Sequence, residues 1–549
     1  MPRRWSCQLN FGVVIVQTSV VRGQLESLKV EIPYQPDTLS VFQALCQDSG
    51  HHLLLDSADI GTKRAVKSLL LVDAAVKLTC EGQQVTIEAL TDNGQQLIAF
   101  IADQLPQPLF QQQSATVLVA DFSRSGIHQD EDSRLKSLSN MEPLRLLQQQ
   151  LFKASDEAKK NPFSVFLGGV FGYDFVASYE QLPEVAKGDN ACPDYVFYLA
   201  ETLLLIDHEK QSCELLGSLF SGENENARYH QLTQRIGELA ARCQLPGRTS
   251  QQTPAAALID DVFANVIATP SANDFATTVE SLKEHILDGD IFQVVPSRQF
   301  KLPCPDSLAA YQQLKRNNPS PYMFYFSHPD FCLFGASPES ALKYQTETNQ
   351  VELYPIAGTR PRGRNADGSI NLDIDGRLEL ELRLDEKELS EHLMLVDLAR
   401  NDLARICQPG SRYVADLLKV DRYSQVMHLV SRVVGQLRKD CDALHAYRAC
   451  MNMGTLTGAP KVSAASLIRQ VEQQGRGSYG GAVGYLAGNG DMDTCIVIRS
   501  AYVSNQQAIV QAGAGVVYDS DPAAEVAETE NKAKAVILAI QQSAKGVSV

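Results

Sequence analysis

Acidic residues stand in the first turns of a helix that the apolar spacing predicts between Glu388 and Leu403, in ELSEHLMLVDLARNDL. One face of this helix is expected to be buried, because apolar residues recur at steps of three and four: Leu389, Leu393, Val396, Ala399 and Leu403. Glu388, Glu391 and His392 lie close to that face, and burying a carboxylate without a partner is unfavourable. These acids either flank the start of the helix or bind a ligand.

A second group of acids opens the helix predicted for EVAETENKAK, from Glu525 to Lys534. Acids in a first turn complement the helix dipole, which accounts for them without any ligand. Alternatively, one of them joins Glu391 in binding a hard divalent cation, since Mg²⁺ suits a pair of carboxylates, water and an anionic ligand. Spacing alone leaves both interpretations open.

Three glycine-containing segments have the composition of anion-binding turns: YPIAGTRPRGR (354–364), MGTLTGAPK (453–461) and QAGAGVVYD (511–519). Exposed backbone N–H groups at a turn or a helix start can bind a carboxylate, and arginine can bind it through two hydrogen bonds. Each segment alone is explained as well by an ordinary turn, a helix C-cap or a β-bulge. Taken together with Arg499 on a neighbouring strand, they favour an anion pocket.

Two further side chains could transfer protons near neutral pH. His428 lies in the apolar strand-like run QVMHLVSRVVG, where a lone histidine is more often a core residue with one hydrogen bond. Glu339 follows a strand and a proline in ASPES, where a glutamate is more often simply solvated. Either could nonetheless act as a general acid or base.

The elements that must position these residues are strand-like runs interleaved with strong helices. The clearest helices are PLRLLQQQLFKAS and residues 272–287, and the clearest strands are VTIEAL, VFYLAETLLLID, IFQVVPSRQF, YMFYFSH, FCLFGAS, VELYPIAGT, CIVIRSAYV and AIVQAGAGVVY. The chain has neither a P-loop nor a convincing G-x-G-x-x-G segment. We therefore expect an α+β fold with large antiparallel β-sheets. The polar, proline-containing stretch 246–257 is the best linker candidate and predicts domains at 1–250 and 251–549.

Composition narrows the classes of partner. A net charge of −16 over 549 residues argues against nucleic acid and anionic membranes, and no apolar run approaches the ~20 residues that span a bilayer. The charge of an anionic substrate must therefore be met locally, by a metal, arginine or backbone N–H groups. The 12 scattered cysteines form no C-x-x-C pair, which argues against zinc and redox motifs and favours buried thiols in the cytoplasm.

Several segments, in their order along the chain, resemble the chorismate-utilising enzymes: NPSPYMF, PIAGTRPRG, ELSEHLMLVDLARNDL, YSQVMHLVSRVVG, MGTLTGAPK, YGGAVGY, DTCIVIRSA and QAGAGVV. The resemblance is dense from about Pro270 onwards and looser before it, and it leaves out the first ~20 residues. Within the family it is strongest to the synthase subunits that convert chorismate and ammonia to anthranilate and pyruvate, the first step of tryptophan biosynthesis. It implies a sandwich of sheets with helices outside, in two interlocked subdomains.

The resemblance also implies roles for individual residues. It assigns magnesium binding to Glu391 and Glu528, with Glu388 as a group that could orient Glu391. It assigns acid–base roles at the chorismate C4-hydroxyl to Glu339 and His428, with Thr455 nearby. The expected chorismate contacts are Gly358, Thr359, Tyr479, Arg499, Gly513, Ala514 and Gly515.

Two positions distinguish this chain from other members of the family. Relatives that make aminodeoxychorismate typically carry a lysine nucleophile where this chain has Ala357, and relatives that make isochorismate or salicylate carry a lysine base where it has Gln293. Alanine cannot attack carbon, and glutamine cannot deprotonate water but can orient ammonia. Both departures favour anthranilate formation. A silent amino-acid-sensing subunit is disfavoured because both glutamates, Glu391 and Glu528, are retained together with His428 and Arg499.

The resemblance finally implies a regulator and a partner. Tryptophan is expected to bind between the two domains as a feedback inhibitor, at Ser57, Pro321, Tyr322 and Met323, although Asp56 stands where relatives often carry glutamate. None of the 12 cysteines stands on the glycine-flanked turn that a glutaminase nucleophile needs. We therefore expect a separate glutamine amidotransferase subunit, component II, in a heterotetramer with two copies of each chain.

Overall fold

The structure is a computed structural model that describes residues 22–46, 50–58, 65–106, 109–122, 130–244, 261–365, 367–423 and 426–546. The predicted linker 246–257 and the N-terminal ~20 residues lie outside the described residues. The domain boundary at 250/251 therefore stays a prediction.

The described residues form strands and helices in a mixed order. The strands are β1 Leu25–Ile32, β2 His52–Ala58, β3 Ala65–Glu81, β4 Gln84–Ala89, β5 Phe110–Gln113, β6 Val117–Asp121, β7 Phe166–Phe171, β8 Tyr195–Asp207, β9 Ser212–Phe220, β10 Ile267–Thr269, β11 Gln293–Val294, β12 Ser297–Pro303, β13 Tyr322–Ser327, β14 Cys332–Ser337, β15 Ser340–Gln345, β16 Gln350–Leu353, β17 Ile356–Pro361, β18 Tyr413–Arg422, β19 Val426–Gln436, β20 Gly458–Ala459, β21 Ala482–Ala487, β22 Met492–Ile496, β23 Ser500–Ser504 and β24 Gln507–Gly513. The helices are α1 Thr38–Leu45, α2 Asp92–Gln104, α3 Glu131–Lys136, α4 Glu142–Ala154, α5 Asp156–Lys160, α6 Glu225–Gln244, α7 Ala272–Leu287, α8 Ser307–Asn317, α9 Leu372–Leu384, α10 Glu386–Ala404, α11 Ala443–Cys450, α12 Gly454–Thr457, α13 Lys461–Glu472 and α14 Pro522–Gly546. No described helix is both long enough and apolar enough to cross a bilayer.

Two antiparallel sheets share the long strands β3 and β8. The first half of β3 pairs with β2 and its second half with β4, while β8 pairs with β3 along most of its length. One sheet has the order β10-β12-β24-β23-β14-β13-β2-β3-β8-β9-β1. The other has the order β5-β6-β4-β3-β8-β7-β21-β22-β15-β16-β19, with β17 following β16 along one edge of β19 and β18 on its other edge.

The apolar core is layered accordingly. Side chains of both sheets meet in an inner layer that includes Leu53, Phe166, Tyr198 and Phe324. Helices α1, α6, α8 and α14 cover the outer face of the first sheet, and α2, α4, α10 and α11 cover that of the second. The predicted α+β sandwich with helices outside is confirmed. Strands from the two halves of the chain are interlocked, because β2 pairs with β13 and β7 pairs with β21.

Local sequence explains where several elements begin and break. Helix α7 spans the predicted residues, and Ser271 caps it by accepting a hydrogen bond from the Asp274 N–H. The predicted strand IFQVVPSRQF is interrupted at Pro296, which has no N–H to donate to a ladder. The predicted strand CIVIRSAYV is interrupted before Ser500, where Arg499 adopts a left-handed φ of 50°.

The buried face of α10 differs from the prediction at Leu393, which is 46% exposed. The buried face of α10 begins at the polar His392 and continues at steps of three and four residues. Its members are His392, Leu395, Val396, Ala399, Asp402 and Leu403. Apolar spacing could not identify this face of the helix, because His392 and Asp402 are polar. The His392 ring contacts the Ala357 carbonyl (3.1 Å) and the Ser431 hydroxyl (2.7 Å), and Asp402 pairs with Lys461 (2.6 Å).

Candidate active site

Strands β17 and β19 place Thr359 opposite His428. The Thr359 Oγ1 and His428 Nδ1 atoms are 2.9 Å apart. Next to this pair the ladder bulges at Gly358, whose φ of +87° favours glycine. Burial lowers the pKa of His428 to about 4, and the positive charge of Arg499 acts in the same direction. The imidazole is therefore neutral at pH 7.

Glu339 lies buried at the turn between β14 and β15. Its Oε1 accepts a hydrogen bond of 2.9 Å from the Thr455 hydroxyl. Burial raises the pKa of Glu339 to about 8, although Thr455, Lys532 and Arg499 oppose the shift. At neutral pH this carboxyl keeps its proton, so Glu339 can donate a proton while His428 cannot donate as an imidazolium.

The glycine loop after β24 lies against two of the predicted residues. A Cβ atom on Gly513 would lie 3.0 Å from the Tyr479 hydroxyl, and one on Gly515 would lie 2.8 Å from Gln293 Nε2. The Ala514 between them is fully buried. Gln293 is itself buried, and its Oε1 has no hydrogen-bond partner among the described residues. An unpartnered buried amide oxygen is costly, which points to a ligand that donates to it.

Three carboxylates from α10 and α14, those of Glu391, Glu525 and Glu528, interact electrostatically with one another. Burial raises the pKa of Glu391 to about 7, and the negative charges of Glu388, Glu528 and Glu525 add to the shift while Lys387 opposes it. Burial would also raise the pKa of Glu528, but Lys532, Arg499 and Lys387 outweigh it and lower the pKa. The Oε2 of Glu525 is buried without a partner in the described part of the chain.

These carboxylates fit a divalent cation only if other oxygens complete its coordination. Nowhere in the described residues do three histidine, cysteine or acidic side chains form a ready cluster. Mg²⁺ is nevertheless usually held by one or two carboxylates together with water and an anionic substrate. The mutual repulsion of Glu391 and Glu528, and the unpartnered oxygen of Glu525, are features that a cation would relieve.

Arg499 brings positive charge to the same place. Its guanidinium interacts electrostatically with Tyr479, Glu528 and Glu339, and it forms no ion pair or hydrogen bond with the described side chains. By contrast, the buried Arg476 is paired with Glu472 at 2.6 Å. An arginine with no carboxylate partner is available to an anionic ligand.

Lys532 is a functional candidate that the sequence analysis missed. Its Nζ lies 2.5 Å from Glu528 Oε1 and donates to the Gly513 carbonyl at 2.9 Å, so it joins the carboxylates to the glycine loop. The sequence feature that could have indicated Lys532 is its position four residues after Glu528, on the same helix face.

Glu388 pairs with Arg360 (2.9 Å) and acts on Glu391 through its negative charge.

The predicted residues thus fall into two places. Contacts and electrostatic interactions join all of the predicted catalytic, chorismate and magnesium residues around Arg499. The predicted tryptophan residues lie together at a second place, where β2 pairs with β13. There Ser57 is opposite Tyr322, and Ala58 N–H donates to the Pro321 carbonyl at 3.0 Å. The Tyr322 hydroxyl donates to Asp493 at 3.2 Å, and Met323 packs into the outer core under α8.

The fold and this arrangement define a member of a known enzyme family. The model of the chorismate binding enzymes matches residues 105–538, and the chain belongs to that family.

The chain is also similar to individual members of this family. The chain is 57% identical to anthranilate synthase component 1 of Vibrio cholerae, over 95% of this chain and 97% of the relative. The crystal structure of anthranilate synthase component I from Streptococcus pneumoniae matches with a TM-score of 0.65 at 28% identity, over 86% of this chain and 92% of that one. The menaquinone-specific isochorismate synthase of Escherichia coli matches with a TM-score of 0.66 at 18% identity, over 95% and 96% of the two chains, which shows the shared fold.

Proposed function

We propose that this chain is a lyase that converts chorismate and ammonia to anthranilate, pyruvate and water, the first step of tryptophan biosynthesis. The 57% identity to an anthranilate synthase component 1, over nearly the whole of both chains, carries this proposal. The geometry agrees with it, because a proton donor, a nucleophile-orienting amide and unpaired positive charge meet in one place.

Chorismate carries two carboxylates, and the site offers matching groups. Arg499 and Lys532 supply positive charge, and the glycines of the 513–515 loop let backbone N–H groups approach a carboxylate closely. The Tyr479 and Thr359 hydroxyls and the bulged backbone at Gly358 line the same place. We assign these residues and Ala514 to chorismate binding.

Glu391 and Glu528 would hold Mg²⁺, with a substrate carboxylate and water completing its coordination. When bound there, the cation supplies Lewis acidity that draws electron density from the ring. Glu525 adds negative charge beside this pair, and Lys532 keeps Glu528 ionised.

The protein side chains divide the remaining chemistry between them. Gln293 Oε1 accepts a hydrogen bond from ammonia and directs its lone pair at C2, while Glu339, positioned by Thr455, protonates the C4-hydroxyl. The C2–N bond forms and the C4–O bond breaks, releasing water. Loss of the C2 proton and cleavage of the C3–O bond then release pyruvate. The neutral His428 assists proton movement at the C4-hydroxyl.

Glutamine is the proposed ammonia source, through a partner amidotransferase subunit in a heterotetramer with two copies of each chain. The naming of the relatives as component 1 supports such a partner. Tryptophan is proposed to inhibit by binding at Ser57, Pro321, Tyr322 and Met323, which the β2–β13 pairing brings together. The cytoplasmic location remains a prediction from the cysteine pattern.

The test is a product assay with the purified chain, chorismate and Mg²⁺. Ammonium salts should give anthranilate fluorescence without any partner, whereas glutamine alone should give none. Formation of isochorismate or of a 4-amino product instead of anthranilate would reject the proposed reaction, and an absence of all turnover would favour a silent sensing subunit.

A further inference from the structure

Two of the segments that carry the proposed chemistry are very short. Strand β11, which carries Gln293, has two residues, and helix α12, which carries Thr455, has four. Elements of this length are not stable by themselves, because they form too few hydrogen bonds to offset the entropy lost when the backbone is fixed. The orientation of the Gln293 amide, and of the Thr455 hydroxyl that contacts Glu339, therefore depends on the groups that hold these two segments.

One buried side chain holds both segments. The guanidinium of Arg476 is fully buried, and its Nη2 donates to the Val295 carbonyl at 2.6 Å, two residues after Gln293. Its Nη1 donates to the Leu456 carbonyl at 2.8 Å, next to Thr455. The last four carbonyls of a helix have no partner within that helix, so this charged hydrogen bond stabilises the C-terminal end of α12.

A carboxylate fixes the same guanidinium. Glu472 accepts hydrogen bonds from Arg476 Nε (2.9 Å) and Nη2 (2.6 Å), and its Oε1 also accepts from the N–H (2.9 Å) and the hydroxyl (2.7 Å) of Ser297. Ser297 is the first residue of β12 and lies opposite Gly513, where the glycine loop begins. The ion pair thus joins a third segment of the candidate active site.

Two aromatic rings lie beside the guanidinium. Its central carbon lies 5.4 Å from the ring centre of Tyr479, a proposed chorismate contact, and 4.7 Å from that of Tyr173. Arginine suits this position, because a planar guanidinium can donate to several acceptors in its plane while its faces contact rings. A lysine ammonium has three donors on a single atom and cannot reproduce the four hydrogen bonds of Arg476.

We propose that Arg476 is a positioning residue that sets the Gln293 amide and the Thr455 hydroxyl relative to each other. This inference rests on the proposed function. Ammonia addition at C2 and protonation of the C4-hydroxyl take place on one substrate, so the groups that perform them must keep a fixed relative geometry. Because Arg476 is fully buried, it acts through β11 and α12 rather than by contacting chorismate.

The test is a kinetic comparison of Arg476→Lys with Arg145→Lys. Arg145 is a matched control, because its largely buried guanidinium also bonds a carboxylate, that of Asp442, at 2.6 Å. Neither α4, which carries Arg145, nor α11, which Asp442 caps, carries a proposed site residue. With ammonium chloride as the nitrogen source, Arg476→Lys should raise the KM for ammonia and lower kcat, each by roughly tenfold.

Magnesium provides a readout that general damage to the fold would also change. In Arg476→Lys the magnesium concentration for half-maximal rate should stay within about twofold of the wild-type value, because Glu391 and Glu528 lie on other helices. Arg145→Lys should leave kcat, the KM for ammonia and the magnesium requirement unchanged. A magnesium requirement that rises with the KM for ammonia in Arg476→Lys would overturn the proposal.

A double substitution tests whether Arg476 acts through Gln293. Gln293→Ala should itself raise the KM for ammonia, and adding Arg476→Lys should raise it no further, because the amide that Arg476 positions is already absent. Additive effects on this KM would overturn the proposal. Wild-type kcat and KM in Arg476→Lys, or the same changes in Arg145→Lys, would do so as well.

A milder variant decides the question if Arg476→Lys fails to fold. Glu472→Asp keeps the negative charge, but its shorter side chain weakens the hydrogen bonds to Arg476 and Ser297, so the KM for ammonia should rise by about threefold. A wild-type KM in this variant would overturn the proposal. A wild-type chain that makes no anthranilate from ammonium salts would refute the proposed function instead.

Discussion

Glu339 and Asp56 are buried to almost the same degree, with exposed fractions of 6% and 7%, but their surroundings differ. Asp56, on β2 beside the predicted tryptophan residues, receives hydrogen bonds from Ser68 (2.5 Å) and Lys315 (2.6 Å). Glu339 receives one from the neutral Thr455 hydroxyl, and burial raises its pKa to about 8. The comparison teaches that burial alone does not mark a catalytic acid. What marks Glu339 is that its hydrogen-bond donor is the neutral Thr455 hydroxyl, so burial leaves this carboxyl protonated and able to donate a proton.

The largest expected effect concerns the two carboxylates proposed to hold the cation, Glu391 and Glu528. Glu391→Ala should lower magnesium-dependent anthranilate formation by roughly 10²–10³-fold, because one of two cation-binding carboxylates is lost. Glu386→Ala, an exposed acid in the first turn of the same helix, is the control and should leave the rate unchanged. Steady-state rates across a magnesium titration measure both. An unaffected rate in Glu391→Ala would defeat the cation assignment.

Exchanging each of the two buried acids for its amide tests the comparison directly. Glu339→Gln should lower kcat by about 10²-fold, since the amide cannot protonate the C4-hydroxyl. Its stability should not fall, because no buried charge loses a partner. Asp56→Asn should leave kcat near the wild-type value and lower the free energy of unfolding by about 1–3 kcal/mol, because Lys315 loses its carboxylate. Steady-state kinetics measure kcat, and urea unfolding measures stability. A loss of stability without a loss of kcat in Glu339→Gln, or a loss of kcat without a loss of stability in Asp56→Asn, would contradict the comparison.

The pKa of Glu339 also predicts a pH dependence. As pH rises through about 8 the carboxyl loses its proton, and kcat should fall by about tenfold per pH unit above that value. Its pKa is higher in the folded than in the unfolded chain, so the native state binds more protons between the two values. Stability should therefore fall as pH rises from about 4.5 to about 8. A pH–rate profile with no fall above pH 8 would remove Glu339 from the role of acid.

Tryptophan tests the predicted inhibitor site, where β2 pairs with β13. Titration should inhibit the wild-type chain, and Ser57→Phe should weaken that inhibition by roughly tenfold, since a bulky ring would fill the space beside Tyr322. The rate without tryptophan should stay the same in both proteins. If tryptophan leaves the wild-type rate unchanged, the regulatory assignment is wrong.

The smallest expected effect is that of Leu393→Ala, which tests which face of α10 is buried. Leu393→Ala should change the free energy of unfolding by less than about 0.5 kcal/mol, because Leu393 is largely exposed. Leu395→Ala, two residues further on, should cost about 2–5 kcal/mol because Leu395 is buried. If chemical unfolding showed the same loss of stability for both substitutions, Leu393 would be buried as the sequence pattern predicted.

Much of the fold could be predicted from local patterns. Period-two spacing located β4, and spacing of three to four residues located α4 and α7, because each element places its apolar residues on one face. The same reasoning failed where polar residues are buried, as at His392 and Asp402 in α10. It also missed Lys532, because its bond to the Gly513 carbonyl depends on the packing of α14 against β24.

The sequence by itself determined the family, the α+β class and the two positions, Ala357 and Gln293, that exclude a lysine nucleophile and a lysine base. These conclusions depend only on the identity and order of the residues. Only the tertiary structure decided that Glu339 keeps its proton at neutral pH, that the His428 imidazole is neutral, and that Glu391 and Glu528 interact electrostatically. Proton affinity depends on burial and on neighbouring charges, and those neighbours come from strands and helices distant in sequence.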